Sequence, residues 1–233
     1  MSERARESER AYHEGLYINH ELYEPGTWLH QPAPYAIQSF ERITPHAAFR
    51  ALDLGSGVGR HSIPLAKHLG PGSQVVCVDI VDTAIEKLRD NARTYGVEKE
   101  VTGIVGDVEE FPIESQGFDF ILSVSCIEHI PTKPRLEQFI RRLQEGTRPG
   151  GTHCFMMITN NTWLDILSGE SLEPLLEQNL VSTESINMLE SLYKDWQVHD
   201  LSTALWESVQ SMGGREIKMR STSVRFTGQK PLV

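Results

Sequence analysis

Phe49-Arg50-Ala51-Leu52-Asp53-Leu54-Gly55-Ser56-Gly57-Val58-Gly59-Arg60 is the stretch around which this chain is organised. A short apolar run ends in an acid, and a glycine-packed loop then leads into residues able to open a helix. Glycines at alternate positions let the backbone turn tightly and approach a ligand, because no Cβ intervenes. Unpaired amides at the start of the following helix would face that ligand as well. A strand at 50–54, the loop, and a helix over His61–Leu69 form the nucleus of an α/β fold that holds a nucleotide-like group.

Outward from the loop, strand and helix signals alternate. Gln74–Val78 is apolar after its first residue, as a strand buried on both faces should be, and ends at Asp79. Asp82 reads as an N-cap for a helix over Thr83–Tyr95, which Gly96 closes. Strands follow at Val101–Val105, Phe118–Val124 and Thr152–Ile158, with a helix over Pro134–Gly146 and a turn at Arg148-Pro149-Gly150-Gly151. Such alternation predicts a parallel sheet with right-handed crossovers. Two late strands, Trp206–Ser211 and Ile217–Thr227, flank Gly213-Gly214 and predict an antiparallel hairpin. Residues 160–200 read as a helical insertion. Residues 1–45 read as an N-terminal arm plus a helix over Pro34–Ile43 that cover the active site of a domain spanning 46–233. The first 30 residues show neither a core strand nor a clean amphipathic helix.

With 233 residues, 39% hydrophobic and 23% charged, the chain suits one domain with a real core. The net charge of −10 argues against a nucleic-acid partner, which normally needs clustered Lys and Arg. No apolar stretch approaches the roughly 20 residues that span a bilayer, and the charged N-terminus lacks an apolar h-region. A cytoplasmic protein is expected. Cys77, Cys126 and Cys154 lie in apolar runs without a Cys-x-x-Cys pair, so buried thiols are preferred over a catalytic Cys126.

The loop departs from the dinucleotide fingerprint G-x-G-x-x-G at one position. Arg60 stands where the third glycine belongs, which counts against NAD. Asp53, before the loop, would repel a pyrophosphate but attract a cationic or amino-bearing ligand. Asp79 suits a ribose diol, and Asp107 an adenine amino group. A ligand with a positive end, a ribose and an adenine is S-adenosylmethionine.

In family order, Leu52-Asp53-Leu54-Gly55-Ser56-Gly57-Val58-Gly59, Val78-Asp79-Ile80, Gly106-Asp107-Val108, Phe118-Asp119-Phe120-Ile121 and Arg148-Pro149-Gly150-Gly151 resemble the successive motifs of class I S-adenosylmethionine-dependent methyltransferases. The resemblance implies a Rossmann-like three-layer sandwich with a seven-stranded, mostly parallel sheet ending in an antiparallel hairpin. It implies that Asp53, Gly55, Ser56 and Gly57 serve the methionine end, Asp79 the ribose, Ile80 the adenine face, and Asp107 and Val108 the adenine edge. Ser123 and Ser125 fall where strand four passes the cofactor. Gly57-Val58-Gly59-Arg60-His61-Ser62 and the tail Leu192–Trp196 through Gly213–Lys218 are similar to the tellurite-resistance type of small-molecule methyltransferase.

Methyl transfer from a sulfonium rests mainly on positioning the acceptor, with a base needed for oxygen or amine nucleophiles. Glu128 and His129, beyond strand four, are the candidates for that base, with capping or wall roles as the alternative. Trp28, Tyr17, His30 and Trp163 are the candidate acceptor walls. His30, His61 and His153 lack a metal-ligand spacing, so no metal is expected. The reading is therefore methyl transfer to a small-molecule acceptor, with S-adenosylhomocysteine as product. An NAD(P)-dependent oxidoreductase and a non-catalytic S-adenosylmethionine-binding regulator are the rival readings.

Overall fold

The strand expected at 50–54 forms over those residues, and one mixed sheet grows on either side of it. The computed structural model describes the backbone of residues 2–232 except 175 and 213, and the side chains of these except 2–5, 8, 9 and 210–212. In chain order come α1 (Ser2–Asn19), a 3-10 turn at Trp28–His30, α2 (Pro34–Phe40), β1 (Arg50–Leu54), α3 (Ser62–Leu69), β2 (Gln74–Asp79), α4 (Asp82–Thr94) and β3 (Val101–Val105). Then follow β4 (Phe118–Val124), a 3-10 turn at Ile127–His129, α5 (Lys133–Gly146), β5 (Thr147–Asp165), the two-residue β6 (Ser171–Leu172), α6 (Ser182–Leu192), β7 (Gln197–Met212) and β8 (Arg215–Gln229). The sheet order is β3-β2-β1-β4-β5-β8-β7, with β6 beside β5. The first five strands run parallel, and β8 is antiparallel to both of its neighbours.

Period-two alternation in the buried strands supplies a core on each face. In β1, Ala51 joins a layer containing Phe40, Leu65, Leu88, Phe120 and Cys154, while Leu52 and Leu54 join Phe139, Leu143, Phe155, Leu189 and Tyr193. Helices α2, α3 and α4 cover the first layer, and α5 and α6 the second. Each buried Leu or Phe stabilises the fold by roughly 1.5–3 kcal/mol relative to exposure. The order reverses between β1 and β4, and ligands of open α/β sheets bind at the carboxyl ends of the strands flanking that reversal.

Three expectations are corrected, and the form of the arm, left open by the sequence, is defined. Residues 2–19, where neither a core strand nor a clean amphipathic helix was expected, form α1. Its sequence is rich in Glu, Arg and Ala, which favour helix by propensity without an apolar stripe, and its last turn is anchored in the core by Tyr17, with Leu16 against it. Asp82 is the first helical residue, and Val81 holds the N-cap position. The turn at 148–151 is a bulge inside β5, because Phe118 pairs with Thr147 and Phe120 with Thr152. The segment read as the start of a helical insertion continues β5 to Asp165, paired along β8 as far as Ile217. Strands β5, β7 and β8 thus rise together beyond the parallel sheet as an antiparallel arm. The polar and β-branched run Thr159-Asn160-Asn161-Thr162 carries no helical stripe, and its register shift against β8 hides the two-residue alternation.

Candidate active site

Two amides, of Gly55 and Ser56, donate to the Val78 carbonyl and lash the glycine loop to the end of β2. Gly55, Gly57 and Gly59 all take positive φ, at 71°, 52° and 96°. Their missing side chains are spatial necessities too. A Cβ on Gly55 would stand 2.5 Å from the Cys126 Cβ, one on Gly57 2.7 Å from the Tyr17 hydroxyl, and one on Gly59 2.6 Å from Leu88 Cδ1. The third of these keeps α3 and α4 close to the sheet. The first two bring strand four and α1 against bare backbone.

Asp79 closes the loop from the other side. Its Oδ2 accepts the Gly57 amide at 2.8 Å and its Oδ1 accepts the Val81 amide at 2.9 Å. Burial raises the Asp79 carboxyl above its ordinary value, against the pull of those amides and of nearby His13. One accepted hydrogen per oxygen leaves lone pairs on both for further donors. Ile80, next in sequence, is 41% exposed and forms an apolar ledge. Asp107 accepts the Glu109 amide on Oδ1 and pairs through Oδ2 with Arg6 of α1 at 2.9 Å, and Val108 packs against the second core layer. Ser56 and Ser123 carry buried hydroxyls without a hydrogen-bond partner, while Ser125 is exposed in a left-handed conformation at the β4 exit.

Asp53 lies beneath the loop at 1% exposure, and the Ser62 hydroxyl donates to its Oδ2. Burial pushes its carboxyl up to about 7, with Ser62 opposing the shift and Asp79 adding to it. The unfolded chain would lose this proton near pH 4 and the native state near pH 7, so native protein binds more protons in between. The stability contributed at low pH is therefore lost as pH rises from about 4 to about 7. Urea midpoints for the wild type should fall over pH 5.5–8 more steeply than those of Asp53→Asn. Equal slopes would show that Asp53 ionises normally.

The carboxyl edge of β4 carries the remaining candidates. Glu128 is buried, and its Oε1 accepts the Ile158 amide at 2.9 Å, so it braces β5. His129 Nδ1 stands 3.0 Å from Oε2 of Glu177, whose side chain is only 3% exposed. A carboxylate accepts, so Nδ1 carries the hydrogen and Nε2 is the basic nitrogen of the neutral ring. Burial pushes the Cys126 thiol well up, which removes its nucleophilic form at neutral pH. Tyr17 is buried against the loop. Trp28 stands under the Arg60 guanidinium, 4.9 Å from its ring centre, and its carbonyl accepts from Arg60 Nη1 at 2.7 Å.

Two proposed walls lie apart from this cluster. His30 is exposed on the flank of α3, in a shallow depression with Tyr23, Pro32 and Lys67. Trp163 sits on the antiparallel arm opposite Met219, its indole nitrogen buried and unpartnered. Residues the sequence reading passed over also meet here: Arg6 at Asp107, Glu177 at His129, and Tyr35 with Arg225. For Arg225 a signal existed, an arginine on the strand face otherwise occupied by Ser221, Ser223 and Thr227. Glu177 and Arg6 lie in stretches without periodicity. Among the described residues, no group of three His, Cys, Asp or Glu could hold a metal ion.

The cradle suits a nucleoside with a cationic tail. It offers side-chain-free backbone, a buried acid with lone pairs to spare, an exposed apolar ledge, unpartnered hydroxyls and a buried carboxyl beneath the loop.

Comparison with known proteins agrees. Residues 51–151 match the family described as a methyltransferase domain. The methyltransferase GfsG of Streptomyces halstedii is 30% identical over 49% of this chain and 39% of its own length. Norajmaline N-methyltransferase of Rauvolfia serpentina is 30% identical over 53% of this chain and 40% of its own. The chain thus spans about two fifths of the length of these curated relatives. TehB from Haemophilus influenzae shares the fold, with TM-score 0.62 and 18% identity over 84% of this chain and 61% of that one.

Proposed function

We propose that this chain, whose residues 51–151 match a methyltransferase domain, is a class I S-adenosylmethionine-dependent methyltransferase that transfers a methyl group to a small-molecule acceptor at the carboxyl edge of β1 and β4. The observation that supports it most is Asp79, a buried acid joined to the loop at Gly57 with acceptor capacity left over. Asp79 holds the ribose diol, Ile80 backs the adenine, and Asp107 with Val108 borders the adenine edge. Gly55, Ser56 and Gly57 line the methionine end, above the Asp53 carboxyl. Ser123 and Ser125 flank the same end from β4. S-adenosylmethionine supplies a methyl on a positively charged sulfur, already activated for displacement.

The protein's share is placement and proton handling. Tyr17 and Trp28 close the loop side and keep water out. Aromatic faces beside a cation are favourable by about 0.5–2 kcal/mol. Glu177 fixes the His129 ring with Nε2 as its basic nitrogen, so His129 takes the proton of a hydroxyl or amine acceptor. Glu128 orients β5 and touches no proton of the reaction.

Isothermal calorimetry should show S-adenosylhomocysteine binding and no NADH binding. NADH binding without the homocysteine product would overturn the reading. In a panel of thiols, amines and phenols, His129→Ala should slow methylation of amines or phenols by about 10²–10⁴-fold, the usual contribution of a positioned base. Thiols that ionise unaided should lose far less. Equal losses for all acceptors would remove His129 as base.

A further inference from the structure

Arg225 occupies a strand position among small polar neighbours, Ser221, Ser223 and Thr227. It lies on β8 opposite Met156 of β5, and Met156 pairs in turn with Val124, the last residue of β4. That register sets Arg225 level with the carboxyl edge of the parallel strands, on the face covered by α2. Its guanidinium stands over the Tyr35 ring, 5.2 Å from the centre. The Nε of Arg225 and the hydroxyl of Tyr35 are both buried without a hydrogen-bond partner. Arg60 repeats the pattern from the glycine loop, with Nη1 spent on the Trp28 carbonyl and a buried Nε that has no partner.

Tyr35 lies within electrostatic reach of Arg60, Arg225 and Glu128. Glu128 is an acid on this side, and its Oε1 accepts the Ile158 amide. Arg60 is in turn within reach of Asp53, Tyr17 and Tyr23. Two guanidinium N–H groups and a phenol O–H are thus buried without acceptors, one guanidinium over the Tyr35 ring and the other within electrostatic reach of it. Buried donors are nearly always satisfied in native proteins, so a cluster of unsatisfied ones marks a place for an acceptor. A carboxylate brings two oxygens, four lone pairs and the compensating charge.

We propose that Arg225, Tyr35 and Arg60 form a carboxylate-binding subsite beside the glycine loop. The inference rests on the methyltransferase reading only for the source of that carboxylate, which is either the methionine tail of the cofactor or an acid group on the acceptor. Arg225 anchors the group, Tyr35 donates its hydroxyl, and Arg60 closes the loop side.

Three ligands and their controls separate the outcomes: S-adenosylhomocysteine, 5′-methylthioadenosine, which lacks the amino-acid tail, and benzoate against benzamide. Binding is measured by calorimetry and ligand-observed NMR on wild type, Arg225→Met, Arg225→Lys and Tyr35→Phe. Tyr35→Phe removes one hydroxyl and Arg225→Lys keeps the charge, so the test survives if Arg225→Met fails to fold. At least tenfold weaker S-adenosylhomocysteine binding in the variants, with methylthioadenosine unchanged, supports the subsite and assigns the carboxylate to the cofactor. Unchanged S-adenosylhomocysteine, with benzoate binding to the loaded wild type, lost in the variants and never matched by benzamide, supports it and assigns the carboxylate to the acceptor. Equal losses for both nucleosides, or no losses and no preference for benzoate, overturn it. If the wild type binds neither nucleoside, the methyltransferase reading fails, while benzoate against benzamide on the free protein still decides the subsite.

Discussion

Asp79→Ala is expected to weaken S-adenosylhomocysteine binding by at least tenfold, about 1.4 kcal/mol, and to destabilise the ligand-free protein as well. Both effects come from one carboxylate. With Asp79 gone, the Gly57 and Val81 amides lose their acceptors in a buried setting. Hydrogen bonds to charged groups are worth about 1.5–3 kcal/mol each, and stranded buried donors cost a similar amount. Relief of an acid that burial disfavours offsets part of that loss, so a net destabilisation of about 1–3 kcal/mol is expected. Asp79→Asn separates the roles. Its carboxamide keeps one acceptor for the loop but turns an NH₂ toward the other amide. Chemical denaturation reports the loop, and calorimetry with S-adenosylhomocysteine reports the ribose contact. Unchanged affinity in a folded Asp79→Ala protein would remove this residue from the cofactor site.

The Gly55→Ala substitution should be the most destabilising single-methyl change in the loop. At a φ of 71° an alanine pays roughly 1–2 kcal/mol for the left-handed conformation. Its Cβ would also collide with the Cβ and Sγ of Cys126, at 2.5 and 2.7 Å, and overpacking of that kind costs about 1–3 kcal/mol. A total of about 2–5 kcal/mol is expected from these two causes. Neither Cys126→Ala, which keeps the Cβ, nor any longer residue relieves the clash fully, whereas Cys126→Gly does. The Gly55→Ala/Cys126→Gly pair should therefore regain the steric part relative to Cys126→Gly alone and keep the conformational part. Thermal unfolding of the four proteins measures both. Strict additivity would show that the two residues do not meet.

The parallel half of the sheet was legible because its inner strands are buried on both faces. Val75 to Val78 and Phe118 to Val124 can hardly be anything else once glycine and acid punctuate their ends, and β1, β3 and β4 match the expected bounds. The glycine loop and its acids were readable for the same reason, since contacts set by backbone geometry repeat as sequence spacing. The pairings around His129 and Tyr35 were not. Glu177 meets His129 across 48 positions and Arg225 meets Tyr35 from another strand, pairings that no local pattern encodes. α1 escaped because its helicity comes from composition, and its partners Asp82 and Asp107 lie far along the chain. The antiparallel arm was underestimated because a bulge at 159–162 interrupts the alternation by which a strand is recognised.

The place of β8 inside the sheet has a consequence for the protein's biogenesis. The strand latest in sequence lies between β5 and β7, which do not pair with each other. During synthesis β5 leaves the ribosome with its outer edge unmatched, and β7 emerges with no neighbour at all. Both await residues 215–229. Open strand edges invite pairing with other chains, and long-range β pairing is slow. The nascent chain thus passes through an interval in which the nucleotide-binding half can be complete while the arm is still sticky. A message truncated before β8 would release a chain with an intact glycine loop and two strands, β5 and β7, lacking their shared partner. Such a product is a substrate for chaperones and proteases before it is anything else.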